Sequence, residues 1–276
     1  MIRRRLFTAT LVAATALALT FLVLPLLAIF LRVAPGELVS QLGNDVVLDA
    51  IVVTAKATLI SQALILLVGT PTAYLIASRS FRGRALAITL IELPLVLPPA
   101  VAGIALLATF GRLGLLGGTF EALGVTVSFT QAAVVLAVTY VASPFYLRQA
   151  IASFEALDGS LLDASRTLGA GPARTFFRIA LPLASSGLAA GAALSFARGI
   201  GEFGATIMFA GSLQGVTQTL SLAVYAQFDL NLDLALALGG LLVLLSAAIL
   251  LAAKLLPAWT RSTSTLLSPF ARFGSS

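Results

Sequence analysis

The sequence predicts an all-α, polytopic membrane helix bundle of about six spans with a short helix on its cytoplasmic face, and three observations predict it. Apolar residues make up 59% of the 276 and charged residues only 10%, whereas a soluble domain carries about 25% charged residues to wet its surface. The apolar residues gather in stretches near 6–31, 47–77, 85–110, 128–147, 183–209 and 232–256, each long enough to cross about 30 Å of hydrocarbon. Most of the basic residues lie between or at the ends of these stretches, and almost all of those on one side, which the positive-inside rule reads as orientation.

The first stretch follows the charged start Met1 to Arg5. A signal peptide begins this way, but its apolar region is only about 7–15 residues long, so the run from Leu6 to Leu31 reads as a retained span. Six spans put both termini on one side. With the N-terminus inside, Arg3, Arg4, Arg5, Arg79, Arg82, Arg84, Arg148, Arg166, Arg174, Arg178, Lys254, Arg261 and Arg272 are cytoplasmic, and only Arg32 and Arg112 are external. The third span contains Pro94, Pro98 and Pro99 and is expected to be kinked or broken, because proline removes a backbone donor and clashes with the preceding turn.

Between the fourth and fifth spans runs a segment from Arg148 to Leu181 with its own punctuation. Asp158-Gly159 breaks the helix leaving span four. Ser160 is expected to N-cap a new helix with Asp163 as its capping-box partner, and Gly169 to end it in the left-handed conformation. Pro172 is placed to start a further helix and Pro182 to mark entry into span five. Short helices lying across the cytoplasmic face are expected. Span five carries Gly187, Gly191, Ser195 and Gly199 at intervals of four, a small-residue face suited to tight packing within the bundle or against a second copy.

Composition excludes several chemistries. With no His and no Cys, imidazole acid–base catalysis, thiolate nucleophiles, disulfides and the usual zinc ligands are absent. The basic pI of 10.5 comes from residues between spans and forms no nucleic-acid-binding patch. No GxxxxGK[ST] sequence occurs, so any ATP that drives the protein is hydrolysed by another subunit. Asp158-Gly159 and Asp163 to Arg166 faintly match the start of a membrane phosphotransferase motif. That chemistry needs further aspartates to hold a divalent metal, and no acidic residue lies between Asp163 and Glu202.

Lys56, Glu92, Arg198 and Glu202 fall inside predicted spans, where an ionisable group is costly and marks a cavity or a partner. Arg198 and Glu202 are four apart and either neutralise each other or line a pathway; Lys56, at comparable depth, is a candidate partner for Glu202. Gly199, Gly201 and Gly204 weaken the helix around Glu202, which suits a hinge or gate. The external stretch Gly211 to Ser221, with Gln214, Thr217, Gln218 and Thr219, offers hydroxyl and amide groups either to an external partner and a passing oxyanion or simply to solvent.

At the cytoplasmic segment the residues become specific. Asp163-Ala164-Ser165, three residues, Gly169, nine residues, then Ile179-Ala180-Leu181-Pro182 resembles the EAA loop of ABC-importer permeases, with Asp in place of Glu and Ser in place of the second Ala. In that family the loop is a coupling helix seated in a groove of an ATPase subunit, and the resemblance implies this role for Asp163, Ala164, Ser165, Arg166, Gly169, Ile179, Leu181 and Pro182. The runs Ala164 to Ala170, Phe196-Ala197-Arg198, Gly201 to Thr206, Met208 to Gly211, Thr217 to Leu220 and Leu93 to Pro99 are similar to molybdate permeases. Sulfate permeases share the EAA loop and a related Gly-Glu-aromatic-Gly stretch.

The resemblance implies a pore-forming permease for molybdate, with sulfate or tungstate as alternatives and a membrane phosphotransferase as the reading from another class. It implies a second copy of the chain, two ABC ATPase subunits that use the ATP, an external oxyanion-binding protein, membrane lipid around the bundle, no nucleic acid and no cofactor held by the chain itself. Lys56, Arg198, Gly201, Glu202, Gly204, Thr217, Gln218 and Thr219 are the candidates for the pathway or gate. The expected division is an N-terminal span and loop over 1–45, a permease core over 46–260 with the coupling loop at 149–182, and a cytoplasmic tail over 261–276, in a bacterial inner membrane with both termini cytoplasmic.

Overall fold

A computed structural model describes residues 2–33, 36, 40, 41 and 43–265. The described residues are helical without strands, and long apolar helices give five spans, or six if one bent pair is counted as a single crossing. Residues 266–276 of the expected tail lie outside the described residues.

Helix α1 (Ile2–Arg32) opens the chain and none of its apolar window is buried within it. Helix α2 (Asp45–Ser78) starts at Asn44, whose side chain accepts from Val46 N–H at 3.0 Å and so satisfies one of the orphan donors of the first turn. Helices α3 (Arg84–Val96) and α4 (Pro99–Phe110) take the place of the expected third span and are bent by 114° with respect to each other, the geometry of a broken span or of a re-entrant loop. The expected break is therefore sharp, and it falls where Pro98 and Pro99 follow one another, Pro99 opening α4 at a position where a missing N–H costs nothing.

Helix α5 (Gly117–Ala122) lies in the next connection, and α6 (Gln131–Glu155) is the centre of the bundle, packed against α2 on one side. After α7 (Gly159–Thr167), helix α8 runs from Pro172 to Ile200 and widens into a π turn over Phe176–Ala180. Helices α9 (Gly204–Ala210), α10 (Leu220–Phe228) and α11 (Leu232–Thr265) complete the fold.

Two expectations need correction here. The fifth span does not reach 209: it ends at Ile200, and 204–210 is a separate short helix, because the glycines around Glu202 break the ladder. Nor are there several short helices between the fourth and fifth expected spans. Only α7 is separate, since the helix begun at Pro172 continues unbroken into the span. Pro182 thus lies inside a helix. It lacks the N–H that would bond Arg178 and its ring crowds that carbonyl; the π turn, in which Leu181 N–H reaches Phe176 O, widens the helix at that point.

Three clusters of buried apolar residues hold the bundle. One joins α4, α6 and α9 around Leu106, Val134, Val138 and Phe209. A second gathers Ile76 of α2, Tyr146 and Phe154 of α6 and Ala184 of α8. A third closes the opposite end, with Val47 of α2 against Leu220 of α10 and Leu238 of α11. The small-residue face of α8 is used inside the chain: a Cβ on Gly191 would stand 2.9 Å from Gln149 Cβ, and one on Gly199 would stand 3.0 Å from Val138. That face is tight packing against α6, not a surface for a second copy.

Candidate functional site

Two places concentrate the sequence-predicted residues. The first is the exposed segment at the arginine-rich end of the bundle. Helix α7 is capped at its start by Asp158, whose Oδ1 accepts from Ser160 N–H at 2.9 Å. Those bonds hold the Asp158 carboxyl below its ordinary range. Ser160 is therefore inside the helix rather than its cap, because the Asp-Gly pair before it offers the better acceptor. Asp163 instead meets Arg166 at 3.0 Å on the exposed face.

The end of α7 is fixed by Gly169 at φ +80°. Gly169 N–H donates to Arg166 O at 2.9 Å and Ala170 N–H to Ser165 O at 3.0 Å, the paired bonds of a Schellman cap. A Cβ on Gly169 would meet nothing within 4 Å, so glycine is required there by backbone conformation and not by space. Ser165, where the family pattern has alanine, is buried, and its hydroxyl lies 3.0 Å from that of Thr175 on α8. The substitution ties the short helix to the span.

Asp163, Ala164, Arg166, Gly169 and Pro182 are exposed, and Ile179 and Leu181 are half-buried. Leu168, 88% exposed, adds an apolar side chain to the face. Below it, Phe176 of the π turn stacks at 4.8 Å on Tyr74 of α2, which meets Phe154 of α6 at 5.3 Å. These aromatic rings pack the first turns of α8 against α2 and α6. Arg84 completes the anchoring: its Nε donates to Ile76 O at 2.9 Å, and its guanidinium pairs with Glu155. Glu92, singled out as an in-span charge, pairs with Arg148 at 3.0 Å, so two ion pairs fasten α3 to α6.

The second place is the break after α8. Glu202 is 1% exposed; its Oε1 accepts from Ala205 N–H at 2.7 Å and its Oε2 lies 2.7 Å from Arg198 Nη2. The carboxylate therefore caps α9 and neutralises Arg198 at once. Lys56, the partner expected for Glu202, is exposed and forms no ion pair among the described residues. It sits on the outward face of α2, while the residues of α2 that face α8 are Thr58 and Gln62.

Gly201 is exposed. Gly204 lies where a Cβ would be 2.7 Å from Pro99 Cβ, so this glycine allows the start of α9 to meet the start of α4. The break between α3 and α4 and the break between α8 and α9 thus abut.

The stretch after α9 is exposed over 213–216, where Gln214 bonds Asp49, and packed over 217–220. Thr217, Gln218 and Thr219 are all buried. Thr217 Oγ1 accepts from Leu213 N–H at 2.9 Å, Gln218 donates to Ser212 at 3.2 Å, and Leu220 N–H donates to Thr54 Oγ1 at 2.8 Å. These side chains satisfy the backbone of a turn that has no ladder of its own, as buried irregular backbone must be. The buried hydroxyls of Thr206 and Thr219 and the amide nitrogen of Gln62 have no hydrogen-bond partner among the described residues. Sequence reading did not single out Thr54, Gln62 or Thr206; each falls in an apolar run where a polar residue at helical spacing was the only signal.

Among the described residues no three His, Cys, Asp or Glu side chains converge on a metal position.

The family described as binding-protein-dependent transport system inner membrane component matches residues 69–262. The chain is 42% identical over 234 residues to the molybdenum transport system permease protein ModB of Mycobacterium bovis, covering 84% of this chain and 88% of that protein. It is 36% identical over 208 residues to the sulfate transport system permease protein CysW of Synechococcus elongatus, 74% of this chain and 73% of that one. Its fold is similar to a chain of the bacterial alginate ABC transporter crystallised with its pentasaccharide-bound periplasmic protein, with a TM-score of 0.69, 19% identity and coverage of 91% and 93%.

Proposed function

The chain belongs to the family of binding-protein-dependent transport system inner membrane components, and from that premise we propose that it is the pore-forming permease of an ATP-driven molybdate importer. It is a multi-pass membrane protein and a transport subunit. The observation that carries the substrate is the 42% identity to a molybdenum permease across 84% of the chain. A sulfate importer is the second reading, favoured by the 36% identity to a sulfate permease.

In this reading two copies form the pore, with the arginine-rich end and both termini in the cytoplasm. Two ATPase subunits receive α7 and use the ATP, an external binding protein delivers the oxyanion, and the chain holds no cofactor of its own. The exposed face of α7, rigidly capped at both ends and tied to α8 through Ser165 and Thr175, supports a coupling role for Asp163 to Gly169. Ile179, Leu181 and Pro182 then form the joint through which a movement enters the span.

The break at Gly201 to Gly204 supports a gate. Glu202 and Arg198 together carry no net charge, so an oxyanion passing them meets hydroxyl and amide groups rather than a fixed cation that would trap it. Selectivity then rests mainly with the binding protein. Thr217, Gln218 and Thr219 shape the external end of the passage through the turn they hold, and Lys56 serves at its own outward face.

ATP-dependent uptake of labelled molybdate into vesicles holding the chain with its ATPase and binding protein tests this. Inhibition by tungstate and not by sulfate is the expected result. Robust sulfate uptake without molybdate uptake would move the chain to the sulfate branch.

A further inference from the structure

The arginine-rich end holds a cavity of about 540 Å³ between the last turns of α2 and the segment joining α7 to α8. Its wall is apolar at Pro71 and Leu75 and polar at Ser78 and Thr175, and its rim carries Arg79 and Arg166. No carboxylate lines it. Arg79 makes no hydrogen bond or ion pair among the described residues, while Arg166 shares its charge with Asp163 in an exposed pair, a contact of little energetic weight. Two guanidinium groups thus face a cavity with at most one offset from outside it.

The apolar wall continues. Leu67, Val68, Pro71 and Leu75 recur at intervals that place them on one side of α2, and Leu67, Val68 and Leu75 are 74%, 61% and 50% exposed. From Leu67 to Arg79 the helix rises about 18 Å, roughly the depth of one leaflet. A cationic mouth at the end of an apolar stripe one leaflet long matches an acyl chain beneath a phosphate, and basic pockets between helices on the cytoplasmic side are where anionic headgroups bind. A carboxylate offered by a soluble subunit would meet the arginines but would make no use of the stripe.

We propose that this cavity binds the phosphate headgroup of an anionic phospholipid, with one acyl chain along α2. The headgroup then touches both the end of a span and Ala170, one residue past the Schellman glycine, so lipid charge sets how firmly the coupling segment rests on α2. The inference rests on the cytoplasmic placement of this end in the permease reading.

The test is titration of fluorescent phosphatidylglycerol into phosphatidylcholine nanodiscs that hold the chain assembled with its ATPase. Saturable binding in preference to a phosphatidylcholine analogue is expected. Arg79→Gln should weaken it about fivefold, the weight of one juxtamembrane cation, and Arg79→Lys should retain it. Equal binding in wild type, Arg79→Gln and the Arg79→Gln/Arg166→Gln double variant would overturn the proposal. So would displacement by inorganic phosphate or molybdate in solution, which would make this a site for soluble oxyanions. Loss of the ATPase from Arg79→Gln in every lipid would assign the arginines to the subunit contact instead. Binding is read without transport, so failure of uptake and failure of this proposal are separable.

Discussion

Two interruptions of the helices, around α7 and around Glu202, close their loose ends by opposite means. Around α7 the caps are local and wet: Asp158 accepts from an N–H two residues on, Gly169 turns the backbone left-handed, and both are exposed. Around Glu202 the cap is buried and charged, and the turn it holds packs against a segment far along the chain, since a Cβ on Gly204 would lie 2.7 Å from Pro99 Cβ. The first device needs no buried charge and no partner distant in the chain. The second cannot be altered without exposing or stranding a charge.

The largest expected effect therefore lies at the buried break. Glu202→Ala removes the acceptor of Ala205 N–H and leaves Arg198 without its counter-charge. It should cost about 3 kcal/mol, visible as a lowered thermal unfolding midpoint in detergent. Glu202→Gln keeps an acceptor and should cost about half as much. If both variants unfold like wild type, the carboxylate does not hold the break together.

Gly204→Val should come next. Its Cβ would fall 2.7 Å from Pro99 Cβ, and overpacking of this kind costs about 1–3 kcal/mol. The loss should show as faster hydrogen exchange across α9 and the start of α4 together, because the two breaks abut. Exchange confined to α9 would mean that they are independent.

This contrast also explains what was legible in the sequence. The devices around α7 are made from residues close in the chain, so Asp158-Gly159, Gly169 and Pro172 could be read as punctuation before any fold was known. Even there the cap fell to Asp158 and not Ser160, because both residues favour a cap and only the geometry chooses. The buried break was legible as weakened helix, from Gly199, Gly201 and Gly204, but not as a capped turn. The pairing of Glu202 with Lys56 failed for the same reason: depth in a span says nothing of which face a side chain takes, and Arg198 was already one turn away. Thr217 to Thr219 read as solvated because polarity marks surface in soluble proteins, whereas inside a bilayer it also marks backbone that must be satisfied.

The smallest expected effect is at the exposed cap. Asp158→Ala should leave the global unfolding midpoint nearly unchanged and speed hydrogen exchange in the first turn of α7. The folded carboxyl has a lowered pKa, so its stabilising contribution is present above the ordinary carboxylate range and is lost as pH falls through the lowered value. The difference in stability between wild type and Asp158→Ala should accordingly shrink on acidification. A difference that grew with acidity would contradict the cap.

The most direct test of the claim that α7 transmits work to the span is the ratio of molybdate taken up to ATP hydrolysed, measured in the same vesicles for wild type and Gly169→Val. The φ of +80° strains any β-branched residue, while the open space around the position leaves packing untouched. The expected result is a chain that still inserts and assembles, with hydrolysis retained and uptake per ATP lost. An unchanged ratio would contradict the coupling role of this segment.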